Sequence, residues 1–335
     1  MNKSAGIFDI LILDYTPMDI RHNENLAKQV TASAIKESMP ENYLVSPIYC
    51  RALRDEIPEK KYDAVIIAGS ILSTVVPSAE LDTALGQINE LIREIPTFGI
   101  CFGLHAIAKL TGNYSKMVEE FEIGPKQVIL YEDINGVGKA GDIVLLPVNH
   151  NCKVAVADGG MKVLAVSNGG IQIADASKHF NNPVIGVQAH PEFAATRRGW
   201  RVFRKTYEDT LESVLSGQNY GITLEPMLDA IGDDARNRFL ETVNDNPNAV
   251  IETSISKRQY DLLMSVFHNT DYRQKLLGKK QSERDYDELR RNSQGLITHF
   301  LRKAIEKKKP KQIAKPVTKK IRPNVPKGKQ MQLKF

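Results

Sequence analysis

Two short stretches of this sequence carry residue types that perform covalent chemistry, in an order that suits it. Phe98-Gly99-Ile100-Cys101-Phe102-Gly103-Leu104 runs a short apolar strand into Gly-x-Cys-x-Gly and on into a helix that stops at Gly112. So tight a turn needs small residues beside the nucleophile, so that strand and helix can approach. It sets the thiol at a helix N-terminus, where the backbone dipole favours a thiolate, and lets the N–H of Phe102 point at a developing oxyanion. The second stretch, Val184-Ile185-Gly186-Val187-Gln188-Ala189-His190-Pro191-Glu192-Phe193, delivers a histidine at the end of an apolar strand, with a carboxylate two residues on. Thiol catalysis needs a base to form the thiolate and later to protonate the leaving amine. That imidazole needs a third group to fix its tautomer and orientation. Cys101, His190 and Glu192 are therefore candidate nucleophile, base and orienter. Each has a plainer reading alone, Cys101 as a small buried hydrophobe and His190 as a structural strand-end histidine. The two motifs together favour chemistry.

The elements needed to hold them are present. Residues 1–218 alternate apolar strands with helical stretches: IFDILILD, a helix over 22–38, YLVSPIYC, YDAVIIAG ending at Gly69, the amphipathic LDTALGQINELIREI, then PTFGI. This implies an α/β domain with a mostly parallel sheet and helices on both faces. Open sheets of that kind place their sites at the C-terminal ends of strands, where Cys101 and His190 both fall. After residue 120 the pattern turns strand-rich (PKQVILYE, GDIVLLPVNH, MKVLAVS, GIQIADA, PVIGVQAH), with some antiparallel additions expected at one edge, and 196–215 reads as a closing helix. Residues 222–306 read as a small helical appendage with helices near 224–245, 256–267 and 282–306, and 307–335 as a basic, disordered tail.

With the elements placed, the two blocks resemble the signature segments of class I (triad) glutamine amidotransferases, most of all the amidotransferase domain of GMP synthetase and its stand-alone relatives. Phe121-Glu122-Ile123-Gly124 and Val148-Asn149-His150 resemble two further family segments. The resemblance covers roughly residues 7–215. It implies a flavodoxin-like fold, a Cys101-His190-Glu192 triad, and an oxyanion hole from the N–H groups of Phe102 and of Gly69 or Ser70. It gives Gly103, His105, Asn149 and His150 to substrate binding. Glutamine, or a γ-glutamyl compound, is the implied substrate, and no cofactor or metal is implied. The sequence departs from the family pattern in three places. Gly69-Ser70-Ile71 stands where the family has Gly-Gly-Pro, His105 where it often has Gln, and neither a Ser-Gly-Gly-x-Asp-Ser loop nor a Walker motif follows. An ammonia-accepting synthase would thus be a separate polypeptide.

Composition narrows the setting. Three cysteines, Cys50, Cys101 and Cys152, form no CxxC pair, which argues against a disulfide framework and for a reducing, cytoplasmic location. No apolar run reaches the ~18 residues of a membrane span, and no membrane partner is expected. The net charge of +5 hides an asymmetry: residues 301–335 carry 13 Lys and Arg against one acid, Glu306, which leaves residues 1–300 net acidic. Such a tail suits an acidic protein or nucleic acid. Three readings stand: a glutaminase feeding a synthase, a γ-glutamyl hydrolase or peptidase using the same triad, and a low-activity scaffold working through its C-terminal region.

Overall fold

A computed structural model of the chain describes residues 6–17, 24–155, 159–167, 170–203 and 279–308. The strands are β1 (Gly6–Asp14), β2 (Tyr43–Arg51), β3 (Ala64–Ile67), β4 (Thr97–Ile100), β5 (Tyr114–Leu130), β6 (Ile143–Ala155), β7 (Lys162–Ser167), β8 (Gly170–Asp175) and β9 (Val184–Val187). The helices are α1 (Glu24–Ser38), α2 (Ala79–Glu94), α3 (Phe102–Leu110), α4 (Ser177–Phe180), α5 (Pro191–Ala194) and α6 (Lys279–Lys308); residues 197–203 are also helical.

β1 shows why the sheet is covered twice. Ile10 and Ile12 join Phe8, Ile66 and Ile35 in one core layer, while Leu11 and Leu13 join Val65, Ile67 and Ile88 in the other. Successive strand side chains point to opposite faces, so an unbroken apolar run needs helices on both. α2 supplies one cover. Its Ser78 cap accepts from the Leu81 N–H at 3.1 Å, and Leu81, Ala84, Ile88 and Ile92 form its buried stripe.

The nine strands form one sheet in the order β2-β1-β3-β4-β9-β8-β7-β5-β6. The pairs linking β2, β1, β3, β4 and β9 are parallel, which is the flavodoxin-like order. Those from β9 through β8, β7 and β5 to β6 are antiparallel. β5 begins at Tyr114, well before the strand expected from Pro125. A bulge between Met117 and Glu122 shifts its register against β6, and such a bulge breaks the period-2 pattern by which a strand is read.

α6 packs into this core. Leu296, Ile297, Phe300, Leu301 and Ala304 are buried in the same layer as Ile10, Ile66 and Phe98, and the Phe300 ring stacks on Phe98 with centroids 5.2 Å apart. Lys303 bridges to Asp175 at 2.7 Å, and Lys308 at the helix end reaches Asp63 at 2.7 Å and the Ile7 carbonyl at 3.1 Å. The helix expected at 282–306 is therefore this one. Those expected near 224–245 and 256–267, the closing helix beyond residue 203, and residues 309–335 lie outside the described residues. Among the described residues no helix is long and apolar enough to cross a membrane.

Candidate active site

Cys101 follows β4 and turns the chain at φ 49°, ψ −100° into α3. An L-residue holds a positive φ only when its surroundings over-determine it. Here they do: the Cys101 N–H donates to the Val187 carbonyl of β9 at 2.7 Å. A Cβ on Gly99 would sit 2.6 Å from the Gly103 carbonyl carbon, and one on Gly103 would sit 3.0 Å from the Ile67 carbonyl oxygen. Strand and helix meet too closely for a side chain at Gly99, and Gly103 leaves room for one only if Ile67 gives way. The first-turn N–H groups of α3, Phe102 and Gly103, have no partner within their own helix.

His190 leaves β9 and is fixed at both ends. Its N–H donates to the Pro147 carbonyl of β6 at 2.7 Å, and its Nδ1 lies 2.8 Å from Oε1 of the buried Glu192. Nδ1–H facing the carboxylate leaves Nε2 for the thiol, and the ring is within hydrogen-bonding reach of Cys101. Burial alone would lower the pKa of this imidazole, but the Glu192 carboxylate and the Cys101 thiol outweigh it and hold the pKa well above the usual value. Both neighbours thereby favour the protonated ring beside the sulfur.

Gly69, just past β3, closes the other side. A Cβ there would lie 2.5 Å from His190 Cε1 and 3.5 Å from Cys101 Cβ. The departure at Ser70 is accommodated without strain, because the described non-glycine residues with positive φ are Cys101 and Asn181. Ser70 Oγ instead accepts from the Leu72 N–H at 3.0 Å and shapes the loop. From β6, the Asn149 carbonyl comes to 4.0 Å from Cys101 Sγ.

The remaining sequence candidates lie around this point. Gly103 serves the packing of α3 on β3. His150 is buried, with Nε2 3.1 Å from Glu122 Oε2 and Nδ1–H 3.0 Å from the Cys152 carbonyl. Burial works against ionisation of Glu122, but His150 and Lys126 outweigh it and lower its pKa. His105 is buried too, with Nδ1 2.7 Å from Ser115 Oγ. Burial first, and the charge of His150 second, push its pKa down to about 3, so it is neutral. Cys152 rests its Sγ 3.3 Å from Met117 Sδ, and burial, with Cys101 nearby, pushes its thiol up to about 12. Burial likewise raises Cys50. Sequence reasoning passed over Gln188, which is fully buried with Nε2 3.7 Å from Cys101 Sγ. Its signal was an amide following the apolar strand VIGV, two residues before His190.

The model of the family described as glutamine amidotransferase class-I matches residues 23–210, more than half of the chain. A subunit of the glutamine-hydrolysing GMP synthase of Methanothermobacter thermautotrophicus is 31% identical over 156 residues, 46% of this chain and 78% of that protein. The corresponding subunit from Saccharolobus solfataricus is 29% identical over 146 residues, 43% of this chain and 75% of that protein. The crystal structure of a glutamine amidotransferase from Thermotoga maritima shares the fold, with a TM-score of 0.50 at 18% identity over 89% of this chain and 98% of that one. With its doubly wound sheet and a cysteine elbow facing a carboxylate-held histidine, the chain belongs to the class-I glutamine amidotransferase family.

Proposed function

We propose that this chain hydrolyses the side-chain amide of glutamine through a thioester on Cys101 and supplies the ammonia to a separate synthase. One observation carries the reading: a thiol forced to φ 49° at the start of α3 shares its pocket with an imidazole whose Nδ1 is held 2.8 Å from Glu192. His190 takes the thiol proton, and the thiolate attacks the carboxamide carbon. The N–H groups of Phe102 and of Gly69 or Ser70 receive the oxyanion, each such donor being worth about 10²–10³ in rate. His190 returns the proton to the departing ammonia. It then deprotonates the water that cleaves the thioester, giving glutamate and the free thiol. Gly103, His105, Asn149 and His150 form the surroundings of the substrate.

Relatives described as subunits of a glutamine-hydrolysing GMP synthase support a separate acceptor enzyme. His105, where the family often has Gln, favours testing γ-glutamyl amines as a second substrate class. Residues 309–335 carry nine Lys and Arg and no acid, a composition suited to a polyanion or an acidic protein. Three free thiols fit the reducing cytoplasm.

The test is intact mass after exposure to a diazoketone analogue of glutamine, on wild type and Cys101→Ala. One adduct at Cys101, blocked by excess glutamine, is expected. A Cys101 that a general thiol reagent reaches but the diazoketone does not would sink the glutaminase reading. Protection by a γ-glutamyl amine instead of glutamine would select the alternative substrate.

A further inference from the structure

A buried row of polar side chains runs from the loop after β3 to the nucleophile. Thr74 Oγ1 donates to Ser115 Oγ at 2.9 Å. Ser115 Oγ lies 2.7 Å from His105 Nδ1. The Gln188 side chain neighbours the same ring, and its Nε2 lies 3.7 Å from Cys101 Sγ. His105 is 4% exposed and Gln188 0%, and Gln188 Oε1 is buried with no hydrogen-bond partner among the described residues. A buried amide oxygen left so costs free energy, unless a donor meets it at some stage of the working cycle.

Donor and acceptor roles give this row a direction. A thiolate accepts and cannot donate, so the amide must turn its NH2 end to Sγ and its Oε1 toward His105. Oε1 then requires an N–H at His105 Nε2. Neutral imidazole carries one proton, so Nδ1 is bare and accepts from the Ser115 hydroxyl. Ser115 in turn can accept from the Thr74 hydroxyl, 2.9 Å away. We propose that Gln188 is a second, neutral hydrogen-bond donor to the Cys101 thiolate, and that His105, backed by Ser115 and Thr74, is the positioning residue that keeps its NH2 end on the sulfur.

The proposal deepens the thiolate chemistry proposed above and rests on it. It gives His105, one of the residues placed around the substrate, an additional role that acts on the sulfur through another side chain. His105 suits this because burial keeps it neutral, so that one ring nitrogen donates and the other accepts. The titratable groups around the sulfur are His190 with Glu192, from β9 and α5, and Cys152 from β6. His150, with Glu122, bears on His105. Only Gln188 and His105 are altered in the test, so the others act as a constant background.

The test is the pH profile of Cys101 alkylation by iodoacetamide on the full chain, with Cys101→Ala to identify the site. This reagent needs no glutamine pocket, so the outcome is independent of whether glutamine is the substrate. Gln188→Met keeps the volume and removes the donor. It is expected to slow alkylation about tenfold on the acidic limb, the scale of a lost hydrogen bond to a charged group, and to move the midpoint upward. His105→Phe moves the profile in the same direction, and His105→Gln, which restores an N–H, returns it. Nitrogen-15 NMR of the wild-type histidines needs no variant, and should show His105 neutral with the proton on Nε2 from pH 5 to pH 8. A Gln188→Met profile that coincides with wild type, or a proton found on His105 Nδ1, overturns the proposal.

Discussion

At Gly69 the main chain runs so close to the imidazole that hydrogen is the only side chain that fits. Gly69→Ala would put a methyl group 2.5 Å from His190 Cε1, and the ring must move. A displacement of ~1 Å at a reacting group costs on the order of 10²-fold in rate. The variant should therefore fold, retain α/β circular dichroism, and lose diazoketone labelling by about that factor. Glu192→Gln tests the imidazole itself. A raised pKa means that the folded state binds the His190 proton more tightly than the unfolded chain does. That stabilisation is complete below the unfolded value of 6.5 and is lost as pH rises through the folded value. The melting deficit of Glu192→Gln should thus be widest at and below about pH 6.5 and narrow in alkaline buffer; a deficit that grows with pH would contradict the geometry. Cys101, His190 and Glu192 were legible as a candidate constellation because each lies in a contiguous motif with its own local physics. Gln188 was not, because its contact is made with a residue 87 positions away, and nothing in its own segment indicates that partner.

Among the elements, α6 does the least expected work. Its apolar positions announce a buried face, but periodicity cannot say what that face is buried against. The answer is the strand that leads into Cys101: Phe300 lies on Phe98, three residues before it. Phe300→Ala should cost ~3–5 kcal/mol, read as a lower denaturant midpoint at unchanged slope. The approach of Gly295 to Gly136 is tighter still, since a Cβ there would sit 2.1 Å from the Gly136 oxygen. Gly295→Ala must therefore push α6 off the turn after β5. The parallel half of the sheet was readable because fully buried strands are short, uniformly apolar runs separated by helices. The start of β5 was not, because its register shift between Met117 and Glu122 interrupts the alternation by which a strand is read.

Across the whole molecule the two ends of the parallel strands have separate duties. Cys101 and His190 stand at the C-terminal ends of β4 and β9, whereas α6 finishes at the opposite edge, where Lys308 reaches Asp63 and Ile7. A chain stopped after Lys308 should keep its diazoketone labelling and lose any salt-sensitive retention on heparin, because the segment removed departs from the far side of the sheet. Retention unchanged by the truncation would remove the polyanion role of residues 309–335. The position of α6 also bears on how the protein is made. The underside of β4 is covered by residues 296–305, and a ribosome reaches them long after it has finished the elbow and His190. Until then Phe98 and its neighbours have no complete cover, and a nascent chain carries Cys101, His190 and Glu192 on an unfinished core. The fold therefore closes late in synthesis, and a message cut before codon 279 yields a chain with both motifs intact in sequence and an apolar face open to aggregation.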